Sequence, residues 1–367
     1  MKVPFLDLKR EYKNIKEEIE KSLFSVLAKG EYCYGKQTEK FEKNFAKLTG
    51  TKYCCGVNSG TQALMIALKS LGIGYGDEVI LPALTFIATA EAVLNVGAKP
   101  ILVDINPGTL NIDLDQVKKA ISQKTKAIIS VHLYGVCVDL KGLLKIAKQK
   151  KLFVIEDAAH AEGSLYNGKP AGSWGDVGCF SMYPAKSLGA YGNAGAIVTN
   201  KKSLAKKIRM VSNHGRGKDK SIHEIVGFTG TIDNLQATVL NIKLKYFKKR
   251  LKKKLLIVER YNQAFENLPL EKQKISNLCQ SSFYVYTLIT EKRDQLKDFL
   301  EKEGISIGIY YPMPLHFQPS LQFLGYQKGN FVQSEKIAKS ILSLPLFPEM
   351  NKKEVDFVIK KVREFFS

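Results

Sequence analysis

Short apolar runs alternating with helical periodicity organise most of the chain. Before them, residues 1 to 50 carry two helical faces, Tyr12, Ile15, Ile19, Leu23 and Val26 on one and Phe41, Phe45 and Leu48 on the other. A turn around Gly30 to Gly35 splits them, and the whole reads as an N-terminal arm. From Tyr53 strands and helices alternate: YCCGV, TQALMIALKSLG, EVILPAL, a helix around Ala88 to Asn95, PILVDI, a helix around Leu114 to Ile121, AIISVHL, LLKIAKQKK and LFVIED. This alternation predicts an α/β fold whose large domain is a mainly parallel sheet covered by helices on both faces. Functional side chains in such a fold belong at the carboxyl ends of strands, where Ser59, Asp157 and Lys186 fall.

Val239, Leu244, Phe247, Leu251, Leu255 and Val258 then recur at helical spacing within a long segment from Leu235 to Asn262. They predict one amphipathic helix whose outer face is the basic run KLKYFKKRLKKK. Beyond it FYVYTLI, a helix at Asp294 to Glu303, an apolar stretch at Ile305 to Tyr311 and a helix after Lys352 predict a smaller C-terminal α+β domain. The expected division is 1–245 for the arm and large domain and 246–367 for the linking helix and small domain.

Composition changes this picture little. Of 367 residues, 45% are hydrophobic and 25% charged, as in ordinary soluble globular proteins. No apolar run is long enough to span a bilayer, and MKVPFLDLKREY carries charge from Lys2 onward without the apolar core of a signal peptide, so a cytoplasmic location is expected. The six cysteines lack paired metal spacing, which predicts buried free thiols and no metal site. Much of the formal charge of +21 is concentrated at 243–254. It reads as a solvated lysine-rich face, as a site for a polyanion, or as a surface that steers an anionic substrate. No nucleic-acid motif accompanies it, and nucleic acid is not an expected partner.

The chemistry gathers around GCFSMYPAKSLGAYGNAGAIVTN, where Lys186 sits in a tight turn between apolar runs among Gly189, Gly192 and Gly195. It follows VIEDAAHAEG, in which Asp157 ends a strand, and NSGTQAL, where small residues open a helix. A nucleophilic amine, a buried carboxylate and an anion cradle are the three parts that hold pyridoxal phosphate. Amides at the start of NSGTQAL, with Gly60 and the Thr61 hydroxyl, would cradle the phosphate, although the same residues also serve as an ordinary helix cap. Asp157 would keep the pyridine nitrogen protonated, or simply cap a turn. His160 is placed to hydrogen-bond the ring hydroxyl or to play a structural part, Ser181 to contact the phosphate, and Phe86 to stack on the ring or fill the core. Lys186 would tether the cofactor and then act as general acid and base.

Together these blocks resemble the DegT/DnrJ/EryC1/StrS sugar aminotransferase family of fold type I, pyridoxal phosphate-dependent enzymes. The resemblance runs from FLDLKREY through GYGDEVILPALTFIATA, KTKAIISVHLYG, VIEDAAHAEG and FSMYPAKSLGAYG to YYPMPLHFQPSLQFLGY and SILSLPLFPEM. It implies that Lys186 carries the covalent link to the cofactor, that Asp157 meets the ring nitrogen, and that Gly60, Thr61 and Ser181 hold the phosphate. It implies further that L-glutamate or glutamine donates an amino group to a nucleotide-linked keto-sugar, and that a homodimer shares its active sites through residues 213–233. YYPMPLH and LSLPLFPEM are most similar to the branch acting at C3, with Tyr310, Tyr311 and His316 approaching the sugar; transfer at C4 is the alternative. A dehydratase of the family would carry histidine at Lys186. Members usually have glutamine at His160, aspartate at Asn193, asparagine at Thr229 and arginine at Thr231. The last two departures remove groups expected near the neighbouring cofactor and the substrate, and leave a non-catalytic regulatory or binding protein on this fold as a further alternative.

Overall fold

A computed structural model describes residues 1–219 and 221–367. The helices are α1 (Leu8–Lys29), α2 (Lys36–Thr49), α3 (Gly60–Ser70), α4 (Ala88–Asn95), α5 (Leu114–Ala120), α6 (Leu140–Lys150), α7 (Lys202–Ser212), α8 (Asn234–Ala264), α9 (Arg293–Lys302), α10 (Val332–Ser340) and α11 (Lys352–Phe366). The strands are β1 (Tyr53–Val57), β2 (Glu78–Pro82), β3 (Lys99–Val103), β4 (Thr125–Val131), β5 (Phe153–Asp157), β6 (Leu165–Tyr166), β7 (Lys169–Pro170), β8 (Val177–Ser181), β9 (Gly195–Thr199), β10 (Cys279–Gln280), β11 (Tyr286–Ile289) and β12 (Ile341–Leu344).

Seven strands form the main sheet in the order β1-β9-β8-β5-β4-β2-β3. Pairings from β3 to β8 are parallel, while β9 runs antiparallel to both of its neighbours. The parallel expectation therefore holds for six strand directions, with the β8–β9 hairpin as the reversal. Strand alternation sends Val79, Leu81, Ile129 and Ile155 into one layer with α3, α4 and α7, and Ile80, Ile128 and Val154 into another with Val117 of α5 and Leu143 and Ile146 of α6. Strand register sets Asp157 level with Val131 and Cys179 at the carboxyl edge of the sheet.

The N-terminal arm behaves as its pattern predicts. Asp7 caps α1, Gly30 ends it with a left-handed backbone, and Ile19 packs against Val239 and Ile242 of α8. Phe41 and Phe45 are fully buried, with Ile232, Leu240 and Phe247 in the same layer. Asn234, at the start of α8, accepts the Gln37 and Thr38 amides at 3.1 Å each and donates to Glu31 O at 2.8 Å.

A second core joins the antiparallel pair β11–β12 to α9, α11 and the far half of α8 through Ile257, Val258 and Tyr261. Val3 is buried in this core and bridges Ile305. The stretch from Ile305 to Tyr311 forms no strand; isolated bridges at Ile305 and Gly308 hold it.

Two expectations fail on α8 and one on the cysteines. Leu255 faces outward, whereas Lys243 and Lys254 are buried, so the basic run does not lie wholly on the outer face. Lys243 donates to Glu11 Oε2 at 2.8 Å, and the opposite charge offsets the cost of burying its ammonium. Cys33 is exposed, while the other five free cysteines are buried. Among the described residues no helix is long and apolar enough to cross a membrane, and no His, Cys, Asp and Glu cluster could hold a metal ion.

Candidate active site

The connection from β8 to β9 holds Lys186 in place with backbone hydrogen bonds. Met182 N donates to Ala194 O, Ala190 N to Met182 O and Lys186 N to Tyr183 O, each at 2.8 Å. A β-carbon at Gly189 would lie 2.2 Å from Pro184 O, so the turn closes only around a residue without a side chain. The Lys186 amine then projects into a cavity of about 360 Å³ at the carboxyl edge of the sheet.

The same cavity receives Gly60, Thr61, Phe86, Asp157, His160, Ser181, Tyr310 and Tyr311. Thr229 and His316 are not among its walls. Thr229 is exposed and bonds His214 Nε2 at 3.2 Å. His316, expected near the sugar, is buried against Phe331 and bonds Glu335 at 3.1 Å, because the Leu315 amide ties its turn to Ala83 O. Burial pushes its pKa down, with Glu335 pulling the other way.

Around the start of α3, Ser59 Oγ accepts the Gln62 amide and Ser59 O the Ala63 amide. The Gly60 and Thr61 amides find no acceptor among the described residues, so the positive helix end faces the cavity with donors to spare. A β-carbon at Gly60 would meet Ser181 Cβ at 2.6 Å; glycine lets helix and strand end close into one cradle.

Asp157 is buried, accepting from Thr89 Oγ1 at 3.0 Å and from the Ala159 amide at 3.2 Å. Burial raises its pKa, and these donors with the nearby Lys186 oppose the rise. A protonated ring nitrogen is the partner such a carboxylate would take. His160 stacks on Tyr284, with ring centroids 4.1 Å apart, and burial drives its pKa well down. Its Nδ1 accepts the Tyr134 amide at 3.4 Å, which leaves the proton of the neutral ring on Nε2 as a donor. The Lys186 amine lies 4.5 Å from the centre of the Tyr284 ring. Burial lowers its pKa while Glu162 and Asp157 hold it up, which favours a nucleophilic amine near neutral pH.

The residues present therefore fit pyridoxal phosphate: spare amides for the phosphate, a carboxylate for the ring nitrogen, a donor beside the ring and an amine of lowered basicity. Thr89, Tyr284 and Glu162 were not anticipated. Thr85, in the turn before α4, and Thr89 in its first turn bond at 3.1 Å, so their spacing in LTFIAT was a usable signal; nothing local distinguishes Tyr284 in FYVYTLI.

This fold and this site define a pyridoxal phosphate-dependent transaminase. The DegT/DnrJ/EryC1/StrS aminotransferase family profile matches residues 13–363, and the chain belongs to that family. It is 40% identical over 370 residues to a pleiotropic regulatory protein of Geobacillus stearothermophilus, covering 100% of this chain and 99% of the relative. It is 36% identical to the dTDP-3-amino-3,4,6-trideoxy-alpha-D-glucose transaminase of Streptomyces venezuelae, covering 99% and 96%. NtdA of Bacillus subtilis, solved with its cofactor PMP bound, superposes with a TM-score of 0.91 at 36% identity, covering 100% of this chain and 85% of that one.

Proposed function

We propose that this transaminase moves an amino group from L-glutamate, or glutamine, to C3 of a nucleotide-linked keto-sugar, in the cytoplasm and as a homodimer. The observation that carries the reading is the convergence of the Lys186 amine, the Asp157 carboxylate and the start of α3 on one cavity. The name of the Streptomyces relative, a 3-amino-sugar transaminase, supports C3 over C4. The exposed segment around His214 and Thr229, outside its own chain's cavity, supports a role at the cavity of a second subunit.

Pyridoxal phosphate, when bound, supplies the electron sink for the bond broken in the amino donor. The chain supplies the rest. Gly60 and Thr61 amides with Ser181 would hold the phosphate, and Asp157 would keep a proton on the ring nitrogen. His160 Nε2 would donate to the ring hydroxyl. The freed Lys186 amine would take a proton from the donor's α-carbon and return it to the cofactor's C4′ carbon. Phe86, Tyr310 and Tyr311 line the cavity that a sugar would enter; the ring centroids of Phe86 and Tyr311 lie 5.8 Å apart. The regulatory alternative, echoed by the name of the Geobacillus relative, requires no cavity of this kind.

The test is the absorbance of the cofactor-loaded protein before and after L-glutamate, followed by nucleotide-linked 3-keto and 4-keto sugars with product analysis by NMR. Conversion to the amine form of the cofactor, then amination at C3, is expected. Lys186→Ala should abolish turnover. An unchanged spectrum with both glutamate and glutamine would defeat the donor assignment, and amination at C4 would defeat the position.

A further inference from the structure

Beside Gly163, where the chain packs on α8, stands a carboxylate that takes no part in the transfer proposed above. Glu162 is 1% exposed, and neither of its carboxylate oxygens has a hydrogen-bond partner among the described residues. A buried ionised carboxylate left in that state is costly unless a cation attends it. Two lysines share its surroundings, since Leu251 and Phe247, against which the next residue Gly163 packs, line one small cavity with Lys186 and Lys254. The neighbouring Gly163 abuts α8, where an added β-carbon would meet Leu251 Cδ2 at 2.8 Å. Lys254 stands three residues beyond Leu251 on the same face of that helix and is 4% exposed. Its amine donates to Ser187 Oγ at 2.9 Å, one residue from Lys186. Lys186, Ser187, Lys254 and Tyr284 line a small cavity of about 40 Å³ behind the turn.

We propose that Glu162 is a positioning residue for the reactive amine: it is the counter-ion toward which the Lys186 ammonium turns when the amine is released from the cofactor. Lys254, tethered to Ser187, shares that carboxylate and prevents it from holding Lys186 too firmly. This rests on Lys186 being the reactive amine, as proposed above.

The electrostatics agree with the geometry. Burial raises the pKa of Glu162, and the pull of Lys186 and then Lys254 opposes the rise. Burial lowers Lys254 to about 8, with Glu162 holding it up and Arg250 adding to the fall. The other groups facing the Lys186 amine are Asp157, which also favours its charged form, the neutral His160 ring, and Tyr284, whose phenol burial keeps protonated. Arg250 and Glu11 lie at the far wall of the small cavity. An ammonium held by Glu162 keeps its proton close to the site of reaction without lending it to water.

The experiment is competitive acetylation of the cofactor-free protein across pH, reading the midpoint for Lys186 by peptide mass spectrometry. It needs neither donor nor sugar, so its failure is distinct from failure of the substrate assignment. Glu162→Gln should lower the midpoint by about one pH unit, a tenfold change in the ratio of amine to ammonium. Glu162→Asp, which keeps the charge, should stay nearer the parent. Lys254→Met should raise the midpoint, since Lys186 then becomes the main cation attending Glu162. Should Glu162→Gln fail to fold, the Lys254→Met midpoint decides. Midpoints that coincide across the folded variants, even with lowered stability, would reduce the pair to a structural role and overturn the proposal.

Discussion

At the residue scale, Asp157 shows how a buried carboxylate is kept ready for a cationic ring. Thr89 and the Ala159 amide satisfy part of it, and the remainder faces the cavity. Asp157→Asn should slow turnover by about two orders of magnitude, the scale of losing one preorganised electrostatic partner. Thr89→Val should cost roughly ten- to a hundredfold, since a hydrogen bond to a charged group contributes about 1.5–3 kcal/mol. Single-turnover kinetics with L-glutamate measure both, and equal rates in Asp157→Asn and the parent would remove its role. Much of this site could be read from sequence because Gly60, Asp157, Ser181 and Lys186 each follow a strand end or open a helix, where local pattern and chemistry coincide. Glu162 could not: in VIEDAAHAEG it looks like any turn carboxylate, and only its burial against α8 gives it meaning. His316 lies outside the walls of its own chain's cavity. Its motif suggested the sugar, yet the ring turns toward Glu335.

At the element scale, Asp104 ties the small unit to the main sheet. Directly after β3, it accepts the Gln333 and Ser334 amides at 2.8 Å each and the Ser334 hydroxyl at 2.7 Å. These amides open α10, so the cap comes from a residue more than two hundred positions earlier in the chain. Asp104→Ala should destabilise α10 by about 1–2 kcal/mol, seen as faster amide hydrogen exchange over 332–340 than over α3. Uniform exchange across both helices would refute the cap. Periodicity revealed β3, whereas α10 was not among the predicted elements; no sequence pattern pairs a strand-end aspartate with so distant a helix. The same limit explains α8. Its apolar spacing gave the helix, but burial of Lys243 and Lys254 depends on Glu11 and Ser187, which arrive from other elements.

At the scale of the whole molecule, acid stability rests in part on Glu156, which is fully buried under the sheet edge. It accepts from His132 Nε2 at 2.9 Å and from the Gly172, Trp174 and Gly175 amides at 2.7–2.8 Å. Burial alone would raise its pKa, but these donors more than offset it and leave it below its ordinary value of 4.5. Because the folded pKa lies below the unfolded one, the stabilisation is present above about pH 4.5 and is lost as pH falls through the folded value. Glu156→Gln should be less stable at neutral pH and show a shallower acid slope in urea titrations; parallel curves would refute this.

The clasp that Asn234 makes on the N-terminal arm has a consequence for biosynthesis. The arm leaves the ribosome before α8, and the side chain that accepts its Thr38 amide lies 196 residues downstream. At about 5–20 residues per second, Phe41 and Phe45 wait roughly 10–40 s for α8 to be translated. Edge strand β1 shares the delay, since its partner β9 is made nearly as late. During that interval the nascent chain presents an apolar helix and an unpaired strand, the two features that chaperones bind. Slowing translation between 60 and 230 therefore lengthens the period of greatest exposure to aggregation, whereas slowing it after 264 does not.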